Sequence, residues 1–336
     1  MKWRCLGDTL LWTSSLAALR HHFPDAEIDL ALPFPYLSLF QNDPRFSKRF
    51  ALQREWRKIF ALAYQLRKRR YDLILNFHAN ERSAALALLA GGKKRIIHHH
   101  SRKTRRFFSD TKVVNLGIPM AARDRDLNVV RSLGWEGAIP KTEILISPEI
   151  IERGRLALVR DFPNSGERLP LVLFGPGASR PAKQWPLESY AKLAELLKGR
   201  ARMGVLYESE RLFAGKAYER QRLSQSALFL ETPTLTSVMG YLSHAACYVG
   251  SDSGIKHLAC ALGISTLTLF GPESMGEWHF YDETHTALQR RVGCRFHDPD
   301  PPEFAWCGET ICPLASHACM QSLEPEEVAL KLARYL

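Results

Sequence analysis

The stretch YVGSDSGIKHLACALGISTLTLFGP, residues 248–272, decides how the rest of the chain is read. YVG closes an apolar run of the kind that forms a buried parallel strand, and DSG is a small polar turn. IKHLACALG has helical spacing, and STLTLFG is a second apolar strand. Strand, turn, helix and strand in that order make one step of a doubly wound sheet. In such sheets ligands gather at the carboxyl ends of strands, against helix starts whose bare N–H groups favour anions. Asp252, Ser253, Gly254 and His257 therefore form either an ordinary strand-to-helix turn or one wall of an anion pocket.

The same alternation extends in both directions. Downstream of residue 168 the expected strands are 169–177, 201–207, 227–231, 246–250 and 265–271, with helices over 186–199, from about 209, over 234–243 and over 254–262. The first half alternates too: helix 9–22, strand 27–33, a long basic amphipathic helix over 52–70, strand 71–77 and helix 82–91 closed by Gly91 and Gly92. Residues 135–168, with Pro140, Pro148 and Pro163, are expected to be the linker. The expectation is an α/β protein of two Rossmann-like doubly wound domains facing a central cleft, residues 1–155 and 156–322, followed by a helix over 323–336 that packs back on the first domain.

Bulk properties narrow the class. At 336 residues with 46% hydrophobic and 24% charged content, the chain can bury two cores. No run of about 18 apolar residues appears, and Asp8 interrupts the apolar part of the start, so 1–23 reads as structure and the expected compartment is the cytoplasm. The net charge of +11 is uneven: residues 1–160 hold 29 Lys/Arg against 15 Asp/Glu, and the remainder 17 against 20. Two tracts dominate, REWRKIFALAYQLRKRR (54–70) and GKKRIIHHHSRKTRRFF (92–108). They suit an anionic membrane surface or an acidic substrate. Nucleic acid is disfavoured, because the tracts lack interleaved aromatic platforms and the anion-type loops lie in the acidic half.

Further loops follow strands at the expected edge. GPGASRPAKQWPLESY (175–190) offers close backbone approach at its small residues, a hydroxyl at Ser179 and positive charge at Arg180 and Lys183, a combination that suits a diphosphate. YESERLF (207–213) offers Glu208 and Glu210, either of which could accept both hydroxyls of a ribose. Asp252 would read sugar hydroxyls or cap its helix, and His257 would bond a phosphate or sugar or be structural. LGDTLLWT (6–13) places Asp8 at a turn before a helix, as a general base or a cap.

Five stretches together resemble glycosyltransferase family 9, the ADP-heptose:lipopolysaccharide heptosyltransferases: LGDTLLWTSSLAALRHHFPDAEIDL, YDLILNFHANERSAALALLAGGKKR, GPGASRPAKQWPLESYAKLAELL, YVGSDSGIKHLACALGISTLTLFGP and CPLASHACMQSLEPEEV. The resemblance implies a GT-B fold, with an acceptor-binding first domain and a nucleotide-sugar-binding second. It implies inverting, metal-independent transfer of heptose from ADP-heptose to a lipopolysaccharide core acceptor by a cytoplasmic enzyme, peripheral at the inner membrane. Asp8 matches the family's general base. Ser179 and Lys183, with Arg180 between them, match the diphosphate loop; Glu210 matches the ribose acid; Asp252, Ser253, Gly254 and His257 match the donor turn. The alternatives within the fold are a transferase for another nucleotide sugar or a protein acceptor, and an inactive ADP-sugar binder.

The sequence departs from the family pattern at three places. Only MKWRC precedes the LGD turn, where the family has a full apolar strand. The family's DSGPMH is DSGIKH here, so Lys256 is expected either to contact phosphate or to sit in solvent. ETPTL replaces a glycine-bearing turn before 234–243. Near the end, Cys294, Cys307, Cys312 and Cys319 gather within 26 residues, which suggests a structural zinc or iron, free thiols or a disulfide.

Overall fold

In the computed structural model, which describes every residue except 79, 99–108, 114–119, 164–168, 280–281, 291, 293 and 295–306, the chain divides into two units, Met1–Leu145 and Ile146–Leu336. In the first, α1 (Leu6–Leu11) and α2 (Thr13–His22) precede β1 (Asp29–Pro33), which pairs in parallel with β2 (Lys48–Leu52). Then come α3 (Trp56–Lys68), β3 (Leu73–Asn76), α4 (Glu81–Ala90), β4 (Lys94–Ile97), β5 (Thr111–Lys112) and α5 (Ala122–Arg131), with β3, β4 and β5 parallel. Edge strand β2 is too short and too polar to show in the pattern, so α3 starts four residues later than its spacing predicts.

Residues 1–3 join the two small sheets. Met1 N donates to Leu75 O at 2.6 Å, Phe77 N–H to Met1 O at 2.8 Å and Lys2 N–H to Ala31 O at 3.2 Å. The strand positions therefore run β2, β1, residues 1–3, β3, β4, β5. Beside Met1, between β1 and β3, lies an apolar cavity of about 280 Å³. Lys2, buried beneath α5, is paired with the equally buried Asp126. The core joins Ile59, Leu62 and Leu66 of α3 to Leu86 and Ala87 of α4.

The second unit begins with α6 (Pro148–Asp161), inside the segment expected as linker. Pro148 starts this helix rather than breaking it, since a proline at the first helical position loses no hydrogen bond. The expected boundary at 155/156 thus falls within a helix, and the observed one lies ten residues earlier. After α6 come β6 (Leu171–Gly175), α7 (Leu187–Leu196), β7 (Arg202–Tyr207), α8 (Ala217–Ser224), β8 (Leu228–Glu231), α9 (Leu235–Leu242), β9 (Cys247–Ser251), α10 (Gly254–Ala261), β10 (Ser265–Phe270), α11 (Met275–Trp278), β11 (His285–Gln289), α12 (Ala318–Gln321) and α13 (Pro325–Leu332). Helices α6 and α9 meet at Gly154 and Gly240, where a Cβ on Gly154 would lie 2.1 Å from the Gly240 carbonyl oxygen.

The six strands are parallel in the order β8-β7-β6-β9-β10-β11. The chain winds outward from β6 through β8, then returns beside β6 with β9, so the switch point lies between the carboxyl ends of β6 and β9. Helix α13 packs on α7 and buries Val328 and Leu332 in this unit's core with Leu193 and Met320. That apolar face makes the final helix part of this unit's core rather than a piece separate from it.

Candidate functional site

The two loops at the switch point meet through side chains. β6 leaves its sheet at Gly175, where a Cβ would fall 1.8 Å from the Tyr248 hydroxyl oxygen, so only glycine lets the loop start here. The loop makes a single 3₁₀ turn, Pro181–Lys183, and carries Lys183 inward to 8% exposure. Lys183 Nζ lies 2.8 Å from Asp252 Oδ2 and 3.5 Å from Glu273. Asp252 Oδ1 is 3.1 Å from Lys256 Nζ and 3.6 Å from His257 Nε2. Burial pushes the Asp252 carboxyl up, but Lys256 and Lys183 outweigh it and hold the group below the ordinary carboxylate range.

Three expectations change here. Ser253, not Asp252, caps α10, accepting the Lys256 N–H with its hydroxyl at 3.4 Å. Asp252, read from the sequence as a sugar-reading or capping group, is 5% exposed with its two oxygens facing the Lys183 and Lys256 ammonium groups, and it anchors Lys183. Lys256 neither contacts solvent nor stands at the loop surface. It is fully buried, its Nζ donating to Trp278 O at 2.6 Å and lying 5.3 Å from the Phe270 ring.

His257, 3% exposed, has its pKa lowered well below the ordinary value by burial and then by Lys256, so it is a neutral imidazole beside Asp252. Gly254 is the first residue of α10. Ser179 is exposed on the loop before the 3₁₀ turn. Arg180 is partly spent: it pairs with Glu273 and donates to Cys307 O at 3.1 Å and Glu309 O at 2.9 Å. Glu210 stands apart from this cluster, exposed and paired with Arg220 at 2.7 Å, beside Phe213 and Phe229. Glu273, Trp278 and the 307–310 backbone come from positions that no local motif marks. Only their place after β10 in a doubly wound sheet could have drawn attention to Glu273.

The four cysteines do not converge. Cys319 is buried in the core, with its Sγ against Gly271; Cys307 and Cys312 are half-buried; and Cys294 is exposed. Among the described residues no group of three or more His, Cys, Asp or Glu side chains is arranged to hold a metal, so the expected zinc or iron site is not formed there. Cys319 is drawn away because it lies on the apolar face of α12, beside Met320.

The first unit holds Asp8 in the first turn of α1, not at an exposed turn. It is 6% exposed and accepts from the Cys5 thiol at 2.7 Å, with the Arg4 guanidinium 3.6 Å away. Arg4 Nε in turn donates to His78 Nδ1 at 3.1 Å. Burial, then Asp8, pushes the Cys5 thiol up to about 11, so it stays protonated as a donor. The basic tract 54–70 is α3 with its flanks, and its charged heads are largely exposed. Of the tract 92–108, residues 99–108 lie outside the described residues, while Lys93 and Arg95 are paired with Asp72 and Asp110.

The family model for glycosyltransferase family 9 (heptosyltransferase) matches residues 59–298, well over half of the chain. The chain belongs to glycosyltransferase family 9. The lipopolysaccharide heptosyltransferase 3 of Escherichia coli is 24% identical to it over 283 residues, covering 79% of this chain and 80% of that protein. Two solved structures share the fold: a family 9 glycosyltransferase from Veillonella parvula, with TM-score 0.81, 16% identity and coverage of 99% and 96% of the two chains, and the E. coli ADP-heptose LPS heptosyltransferase II, with TM-score 0.76, 19% identity and coverage of 99% and 97%. This family 9 chain is thus a GT-B glycosyltransferase of the heptosyltransferase kind found in lipopolysaccharide core synthesis. The Lys183–Asp252 cluster lies within the matched span, whereas Asp8 precedes it.

Proposed function

We propose that this enzyme transfers heptose from ADP-L-glycero-D-manno-heptose to a lipopolysaccharide core acceptor, with inversion and without a metal, at the cytoplasmic face of the inner membrane. The observation that carries the reading is the buried Lys183, anchored by Asp252 at the switch point beside the start of α10. An ammonium group and unpaired helix N–H groups together suit a departing diphosphate. Ser179 and the amides of Gly254 and Ile255 add donors. Glu210 is assigned to the ribose, which requires it to leave Arg220 or to share it.

Asp8 is assigned to the acceptor. Its carboxylate takes the hydroxyl proton as the acceptor oxygen attacks the anomeric carbon, and ADP leaves from the opposite face. Arg4 and the Cys5 thiol fix its orientation. No helix among the described residues is long and apolar enough to cross a membrane, and a peripheral mode is assigned instead. Incubation with ADP-heptose and a panel of truncated lipopolysaccharide cores, read by mass, tests the reaction: a gain of one heptose on one core is expected. ADP release without core modification would favour another acceptor, and no turnover with intact ADP binding would favour an inactive binder.

A further inference from the structure

Helix α3 buries Ile59, Leu62, Ala63 and Leu66 and exposes three large aromatic side chains, Trp56 at 47%, Phe60 at 55% and Tyr64 at 64%. Single exposed apolar residues need no explanation, but these are not scattered. At about 100° per residue, a spacing of four keeps all three on one flank of the helix, next to the buried face. The Trp56 and Phe60 rings are 6.1 Å apart. Helix α4 continues the patch: the Arg82 guanidinium lies 5.8 Å from the Trp56 ring, Arg67 donates to Leu89 O at 3.4 Å, and Leu88 and Leu89 are 39% and 36% exposed.

Cations frame the stripe. Residues 54–70 hold seven Lys/Arg against one acid. Lys68 Nζ sits 4.3 Å from the Tyr64 ring, an aliphatic stem along the aromatic flank with its charge at the rim. A helix lying in a bilayer interface has this composition: Trp, Tyr and Phe at the depth of the headgroups, Lys and Arg reaching the lipid phosphates. A single-stranded nucleic acid would want planar faces spaced along a groove, and a folded protein partner of matching charge would need an acidic rim around an apolar slot. Parallel topology places the starts of α1, α3 and α4 at one edge of their sheet, since each follows a strand position. Trp56 and Arg82 are therefore at the same edge as Asp8.

We propose that the α3–α4 face, with Trp56, Phe60 and Tyr64 as its wedge, docks this enzyme on an anionic phospholipid bilayer. The aromatic rings enter the headgroup layer, and the framing Lys and Arg side chains engage lipid phosphates, so that the edge carrying Asp8 is presented to lipid-borne acceptors. This deepens the functional proposal by naming the surface, and it is tested without donor or acceptor, so its failure leaves the transferase assignment standing.

The full chain is floated with vesicles of phosphatidylcholine alone and with 30% phosphatidylglycerol at low and at high salt. Binding to the anionic vesicles at least tenfold above the neutral ones, and at least tenfold weaker in the W56S/F60S/Y64S variant with unchanged circular dichroism, is the expected result. As a second readout that does not depend on the triple variant folding, brominated phosphatidylcholine in the anionic vesicles should quench wild-type emission, and Trp56→Phe should remove that quenched component. Unchanged vesicle binding by the folded triple variant, or no quenching assignable to Trp56, overturns the proposal. So does a wild-type dimer that the triple variant abolishes while neither binds vesicles, which would assign the face to a second copy of the chain.

Discussion

The two candidate sites are built in opposite ways. In the first unit Asp8 is held by neighbours three and four residues away in its own turn, Cys5 and Arg4. In the second, Lys183, Asp252, Lys256, Glu273 and Arg180 converge from three loops, at sequence separations of up to 93 residues. The first arrangement holds its carboxylate through contacts within a single turn. The second ties binding chemistry to the stability of the sheet, because each buried charge depends on another.

Catalytic and structural loss should separate along that line. Asp8→Asn is expected to lower kcat by about 10²–10⁴-fold, the range for a positioned general base, with ADP affinity unchanged. An effect on the melting temperature of comparable weight would break the comparison. Asp252→Asn removes the carboxylate that faces both buried ammonium groups, leaving Lys183 the more distant Glu273 at 3.5 Å, and should destabilise the second unit by about 3–5 kcal/mol, measured by urea unfolding. Lys256→Met, which keeps the Lys183–Asp252 pair, should cost less than Asp252→Asn; equal costs would show that Lys256 rather than Lys183 carries the pair.

The second unit should also respond to mild acid. His257 is held well below its ordinary pKa by burial, and His279 is lowered to about 3 by burial and then Lys256. Between those folded values and the ordinary value of about 6.5, the unfolded chain binds more protons than the folded one. Stability therefore rises with pH through that window and is lost as pH falls through it, by roughly 2–3 kcal/mol from pH 7.5 to 5.5 for the two histidines together. Thermal melts at the two pH values check this, and His279→Gln should roughly halve the difference. The smallest effect belongs to the first unit's surface: Lys93 and Asp72 are paired at 2.6 Å with side chains about 80% exposed, and Lys93→Gln should leave its stability in urea unfolding unchanged.

The same contrast explains what sequence could and could not show. Strong apolar runs such as LVLFG and CYVGS reveal the β6–β11 sheet, and their alternation with helices carries its order. The DSG turn and the Lys183 loop are visible because each is local. Residues 1–3 are too few to show any period, yet they occupy a strand position through backbone hydrogen bonds alone. Lys256 misleads because lysine is seldom buried; Asp252, four residues before it, and the Trp278 carbonyl help to make its burial tolerable. The Arg180–Glu273 pair lies beyond reach for a related reason: an ion pair across 93 residues leaves no trace in spacing.

The most direct test of the donor site is nucleotide binding by the whole chain, read as a thermal shift with ADP, UDP and GDP in the wild type and in Lys183→Gln. A melting temperature raised by ADP above the other two, and no such rise in Lys183→Gln, is the predicted result. An equal response to all three nucleotides, or an ADP shift undiminished in Lys183→Gln, would contradict a diphosphate held at the β6–β9 switch point.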